Sequence, residues 1–237
     1  MNIDEVLARN RKRHCDYRRS RGTISLRKAI EKRNEEGRKG LIAEYKRRSP
    51  SGFSTDEDIH SYLSYVRMHR ITGLSILSEP VHFSGSFDDV TVAHRLGFPV
   101  LVKDFTPDAE FVESAYNAGG DVVLAILDFL PSDEIRRIVR RSADLGMDVI
   151  EEYHNRDAIS RFVDGDNVIL GFNRRDLVSL KTEETHDPPF YDVAILESGI
   201  NIDNVMDLDM RYSGYLVGTS ILKRDGTLEY LEKAQII

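Results

Sequence analysis

Eight short apolar runs recur along the chain, at 41–45 (LIAEY), 73–77 (GLSIL), 100–104 (VLVKD), 122–127 (VVLAIL), 148–152 (DVIEE), 167–173 (NVILGFN), 193–197 (VAILE) and 215–218 (YLVG). Runs this short and this apolar read as buried strands. Longer amphipathic segments separate them, and the spacing predicts helices over 56–69, 107–118, 131–145, 155–163 and 227–234. Pro107 and Pro131 suit first helical positions. Apolar strands alternating with helices require a parallel sheet covered on both faces. Eight such units in about 200 residues fit a closed barrel. An open doubly wound sheet is the alternative, but it usually carries a GxGxxG turn after its first strand, and none is present. The expected fold class is therefore α/β, a single (β/α)₈ TIM barrel with N-terminal extra helices. One domain spans 1–237, with a helical extension over 1–40 and the barrel over 41–237. In the extension, 2–20 reads as one helix, with Ile3, Val6 and Leu7 on a shared face. Leu26 to Glu36 reads as a second, with Ser25 as its N-cap.

Composition excludes several classes. No run reaches the roughly 18–20 apolar residues that span a bilayer. The start, MNIDEVLARN, lacks an apolar core for a secretory signal, so a cytoplasmic location is expected. A single cysteine, Cys15, excludes an internal disulfide and a multi-cysteine zinc site. The seven histidines form no HxxxH pair, and no metal or cofactor is expected. Charge is uneven: residues 1–50 carry 16 Lys/Arg against 7 Asp/Glu, the rest 17 against 33. A basic arm on an acidic body can signal nucleic-acid contact. This arm lacks interleaved aromatics and is diluted by Asp4, Glu5 and Asp16, so no nucleic acid is expected.

Barrel enzymes of this type act at the C-terminal ends of their strands. Those ends hold Glu44 and Lys46, Lys103 and Asp104, Glu151 and Glu152, Asn173 followed by Arg174-Arg175-Asp176, Glu197-Ser198-Gly199, and Gly218-Thr219-Ser220. Any one of these is explained as a solvated charge or a helix cap. Together on one rim they are not, because a buried charge without a partner costs several kcal/mol. Glu44 and Lys46, two apart on a strand, point the same way. Gly199 and Gly218, with a short helix beginning near Thr219-Ser220, form a phosphate cradle.

These motifs resemble those of the indole-3-glycerol phosphate synthase family. LIAEYKRRSPSG (41–52) looks like its strand-one motif, and the resemblance gives Glu44, Lys46 and Ser51 roles in the substrate site. VLVKDF resembles the strand-three motif with its catalytic lysine, here Lys103. VIEEYHN is similar to the strand-five motif, and its spacing from Gly146-Met147 selects Glu152 over Glu151 as the catalytic carboxylate. LGFNRRDL implies Asn173 and Arg175, LESGI implies Glu197 and Ser198, and LVGTSIL resembles the phosphate motif with Gly218 and Thr219, joined by Gly199. HFSGSF implies Phe83 against the substrate's aromatic ring. The chain departs from the family at His82, often Tyr, and at Phe172, usually Ile. Asp187-Pro188-Pro189 implies a shortened sixth helix.

The resemblance implies ring closure, decarboxylation and dehydration of 1-(2-carboxyphenylamino)-1-deoxyribulose 5-phosphate in tryptophan biosynthesis. Catalytic groups would be Lys103, Glu152, Lys46, Glu44, Asn173 and Glu197. Ser51, Phe83, Arg175 and Ser198 would bind substrate. The expected Lys103 is an acid whose pKa is lowered by burial and nearby cations, and the expected Glu152 a carboxylate whose pKa is raised by Glu44 or apolar walls. The partner is a small sugar phosphate, with no membrane, and the chain is a monomer or weak homo-oligomer. A phosphoribosylanthranilate isomerase would want a Cys and Asp pair at strand ends, and Cys15 lies far from them. A non-catalytic nucleic-acid binder is the other alternative.

Overall fold

The computed structural model describes residues 1–175 and 191–237. Among them eight parallel strands close into a barrel in chain order. They are β1 Gly40–Tyr45, β2 Gly73–Leu77, β3 Val100–Lys103, β4 Val122–Ile126, β5 Asp148–Tyr153, β6 Val168–Asn173, β7 Ala194–Glu197 and β8 Gly214–Val217. β1 pairs with β8 through Ile42 and Leu216, which closes the ring. Each apolar run supplies one strand. Among the described residues no helix is long and apolar enough to cross a membrane.

Strand side chains alternate between the two faces. Ile42, Leu101, Leu124, Ile150, Ile169, Ile195 and Leu216 form one inner cluster. Leu41, Val100, Val123, Val149, Leu170, Leu196 and Tyr215 belong to the outer one, under the helices. The period of two then assigns the rim. Lys103 follows Leu101 inward, Glu152 follows Ile150, Asn173 follows Ile169 and Glu197 follows Ile195. Glu151 turns outward with Val149 and Tyr153, where it accepts the Val163 amide at 3.0 Å. Phe172 also faces out and stacks on Tyr153, with ring centroids 5.0 Å apart.

The helices α1 Ile3–Asn10, α2 Leu26–Glu35, α3 Ile59–Val66, α4 Phe87–His94, α5 Ala109–Asn117, α6 Ser132–Asp144, α7 Thr219–Lys223 and α8 Thr227–Lys233 follow the sequence pattern with trimmed ends. α4, capped by Ser86, is not among the expected helices. The prolines sit one or two places earlier than expected. Asp108 caps α5 by accepting the Phe111 amide at 3.0 Å, which leaves Pro107 outside, and Pro131 occupies the capping position of α6. The segment expected as a helix over 155–163 is a 3₁₀ helix, Arg156–Arg161, ended by the Val163–Glu151 bond. The shortened sixth helix expected around Asp187-Pro188-Pro189 lies outside the described residues.

The largest departure is the N-terminal arm. The expected helix over 2–20 stops at Asn10, and residues 11–24 descend the outside of the barrel with little regular structure. Tertiary bonds override the local pattern there. Arg13 donates to Asp104 at 2.6 Å and to the Ser78 carbonyl at 2.9 Å. Tyr17 donates to Asp88 at 2.5 Å. Arg19 and Arg21 converge on Asp121, at 3.0 and 2.7 Å, and the Ile24 amide joins them at 3.0 Å. Arg13, Arg19 and Arg21 of the arm are thus engaged by the barrel's own carboxylates.

The arm ends in α2, which seals the N-terminal end of the barrel. Leu26 and Ile30 are fully buried, each stabilising the fold by about 1.5–3 kcal/mol. A Cβ on Gly73 would meet Leu26 Cδ1 at 2.7 Å, and one on Gly40 would meet Ile30 Cγ1 at 2.8 Å. Glycine at these strand starts lets the seal seat. Removing one partner of a buried ion pair costs about 3–5 kcal/mol. Asp121 is fully buried and the Arg19 side chain only 8% exposed. Asp121→Ala is therefore expected to lose about 3–5 kcal/mol in urea denaturation; a loss under about 1 kcal/mol would mean that the arm is held elsewhere.

Candidate active site

A cavity of ≈ 890 Å³ opens at the C-terminal ends of the strands. Every residue given a catalytic, substrate-binding or phosphate-binding role in the sequence lines it, from Glu44 on β1 to Thr219 after β8, whereas the strand-end charges Glu151 and Arg174 do not. Asp176 lies outside the described residues.

At the cavity floor Lys103 is held by two carboxylates from across the barrel. Its Nζ donates to Glu152 Oε2 at 2.6 Å and, by a shorter contact, to Glu197 Oε2. All three groups are buried. Burial opposes the charge on Lys103, but Glu152, Glu197 and Glu44 outweigh it and raise its pKa above that of free lysine. The carboxylates dominate its surroundings, so the expected lowering is reversed. Glu152 is reversed as well. Burial favours its neutral form, yet Lys103 and His154 overcome burial and hold it below the usual carboxylate range. Glu197 is the carboxyl that rises: burial and the neighbouring Glu152 push it up to about 8 against the pull of Lys103. One ammonium between two carboxylates leaves an excess negative charge that the second carboxyl must bear.

Two glycines make room for these charges. A Cβ on Gly171 of β6 would meet Glu197 Oε1 at 2.5 Å and Ile150 Cγ2 at 2.8 Å. One on Gly218 would collide with Glu44 Oε1 and reach Lys46 Nζ at 3.1 Å. Gly218 thus clears the Glu44–Lys46 pair, whose Nζ–Oε1 distance is 2.6 Å. The same residue caps α7, which has no side-chain cap, so its first amides are open to an anion. The turn leaving β7 is left-handed at two successive residues, Ser198 (φ 66°) and Gly199 (φ 71°). It is fixed by Arg174 donating to the Ser198 carbonyl at 2.9 Å and by Asn204 donating to the Gly199 carbonyl at 2.7 Å. Ser220 turns away from this cradle, toward Asp225 and Thr227.

Arg175 crosses the mouth to Ser51, donating to its Oγ at 2.7 Å. Asn173 orients this arginine by accepting its backbone amide at 3.1 Å. Phe83 lines the cavity with Phe53 and Phe105, giving an aromatic wall. His154 is a contact that the sequence reading missed. Its Nε2 lies 2.8 Å from Glu152 Oε1 and its Nδ1 2.7 Å from the Arg175 carbonyl. The signal was present, because His154 stands two residues after Glu152 and so shares its face.

The family model described as indole-3-glycerol phosphate synthase matches residues 3–233. The chain is 78% identical to an indole-3-glycerol phosphate synthase of Thermoplasma acidophilum over all of both chains, and 59% identical to one of Thermoplasma volcanium, again over all of both. A relative of the same name from Picrophilus torridus is 40% identical, over 97% of this chain and 95% of that one. Among solved structures, tryptophan synthase subunit alpha from Legionella pneumophila superposes with a TM-score of 0.56 at 15% identity, over 88% of this chain and 90% of that one, a likeness of fold alone. With a rim of buried lysine and carboxylates on a closed eight-stranded barrel and a family match over nearly its whole length, the chain belongs to the indole-3-glycerol phosphate synthase family, the decarboxylating lyases of tryptophan biosynthesis.

Proposed function

We propose that the cavity closes the indole ring of 1-(2-carboxyphenylamino)-1-deoxyribulose 5-phosphate through Lys103, acting with Glu152 and Glu197. The observation that carries this reading is the ammonium of Lys103 held between two buried carboxylates at the cavity floor. The ring carbon bearing the substrate carboxylate attacks the ketone, and the ketone oxygen becomes an alkoxide. An alkoxide is far more basic than an amine. Lys103 can therefore protonate it although its own pKa is raised, and its fixed charge stabilises the developing oxyanion beforehand. Glu197, with its pKa near 8, is suited to return a proton to Lys103.

The C–C bond to the carboxylate then breaks, carbon dioxide leaves, and its bonding electrons restore the aromatic ring. Loss of water follows. A proton goes to the departing hydroxyl and another leaves the ring CH₂ beside nitrogen. Glu152 is held ionised and serves as that base. Lys46 and the planar guanidinium of Arg175 suit the substrate carboxylate. Phe83 receives the aromatic ring. Ser198, Gly199, Gly218 and Thr219 hold the phosphate, and Glu44 and Asn173 orient Lys46 and Arg175. The chain works as one domain, and the engagement of Arg9, Arg13 and Arg21 by Glu79, Asp104 and Asp121 supports a reading without nucleic acid.

Incubation with the deoxyribulose phosphate in EDTA, followed by indole fluorescence, tests the reading. Wild type should form product, and Lys103→Met and Glu152→Gln should each lose about 10²–10⁴-fold in kcat. No product from folded wild type would sink the assigned chemistry. Gly171→Ala probes Glu197 without touching the phosphate cradle. The added methyl should displace Glu197 and lower kcat by about 10²-fold, with KM within a few-fold of wild type. An unchanged kcat would show that the placement of Glu197 does not matter to the reaction.

A further inference from the structure

Among the titratable groups to which the proposed chemistry gives no role, His154 touches a catalytic one, and its tautomer can be read from its partners. Its side chain is 5% exposed. Nδ1 lies 2.7 Å from the carbonyl oxygen of Arg175, and a carbonyl only accepts, so Nδ1 carries a hydrogen in either charge state. Nε2 is then the atom that changes. In the imidazolium it donates to Glu152 Oε1, 2.8 Å away; in the neutral ring it accepts from a protonated Glu152. The bond therefore needs one proton between the two residues, and the imidazolium supplies it while Glu152 is ionised.

We propose that His154 is a positioning residue for the reaction, holding Glu152 as an ionised base and tying it to the segment that carries Arg175. The inference rests on the reading of Glu152 as base. Glu152 divides its oxygens: Oε2 receives Lys103 and Oε1 receives His154. Its rotamer is therefore fixed from two sides. Among the described residues, the groups facing His154 are Glu152 from β5, the Arg175 carbonyl from the end of β6, and Asp128 from the segment after β4, whose Oδ2 accepts the His154 amide at 2.9 Å. Burial opposes a charge on the imidazole, but Glu152, the Arg175 carbonyl and Asp128 prevail and raise its pKa. The charged ring in turn keeps Glu152 deprotonated. Arg175 sends its backbone to His154 and its guanidinium to Ser51, so the base and the substrate-facing arginine share one anchor.

The test compares pH profiles of kcat and KM for wild type, His154→Ala, His154→Gln and Glu152→Gln. Without the imidazole, Glu152 loses a cationic donor and should titrate higher. The ascending acid limb of kcat in His154→Ala should move up by about one pH unit, with kcat at neutral pH down about tenfold and KM within about threefold. Glutamine restores a neutral donor, so His154→Gln should recover much of the kcat at high pH while its limb stays shifted. In wild type, imidazole ¹⁵N spectra should show Nδ1 protonated throughout. Wild-type limbs in both histidine variants, beside an inactive Glu152→Gln, would overturn this inference alone. A fully active Glu152→Gln would overturn the reading of Glu152 and this inference with it.

Discussion

The contact between Lys103 and its two carboxylates is the interaction on which the site depends. Three ionisable groups from β3, β5 and β7 meet at the buried floor of the cavity. Each is costly to bury alone and tolerable only with the others. Their arrangement sets the charge distribution before substrate arrives: a cation, a carboxylate held ionised and a carboxyl raised toward neutrality. An environment ordered in this way stabilises developing charge without reorganising during the reaction.

The rest of the fold keeps these three strands in register. Inner apolar layers of Ile42, Leu101, Ile150, Ile169 and Ile195 set the depth of the polar groups that follow them. Gly171 and Gly218 leave the volume that Glu197 and Glu44 occupy. The N-terminal arm links the two ends of the barrel. Asn10 and Arg13 bond Asp104, the neighbour of Lys103, at 2.7 and 2.6 Å, while Arg19, Arg21 and α2 close the opposite end. One segment thus braces both the catalytic face and the base of the barrel.

Much of this was legible in the sequence because strand periodicity is local. The parity of Ile150 and Glu152, or of Ile195 and Glu197, sorts inward from outward residues without coordinates, and it leaves Glu151 outside. The arm was not legible, since its course is dictated by Asp121, about a hundred residues away, rather than by its own helical period. His154 was half legible: its face follows from the period of two, but its second partner is a backbone carbonyl 21 residues later. The Lys103 and Glu152 shifts run opposite to those expected from the sequence for one reason. They depend on how many opposite charges converge across the barrel, and single strands do not reveal that number.

Titration of Lys103 Nζ by ¹⁵N-lysine NMR in the free protein tests the central claim most directly. A lysine clamped between Glu152 and Glu197 should keep its ammonium signal to a pH beyond the ordinary lysine value of about 10.4. Loss of the ammonium signal near neutral pH would contradict the clamp and restore a Lys103 made acidic by burial.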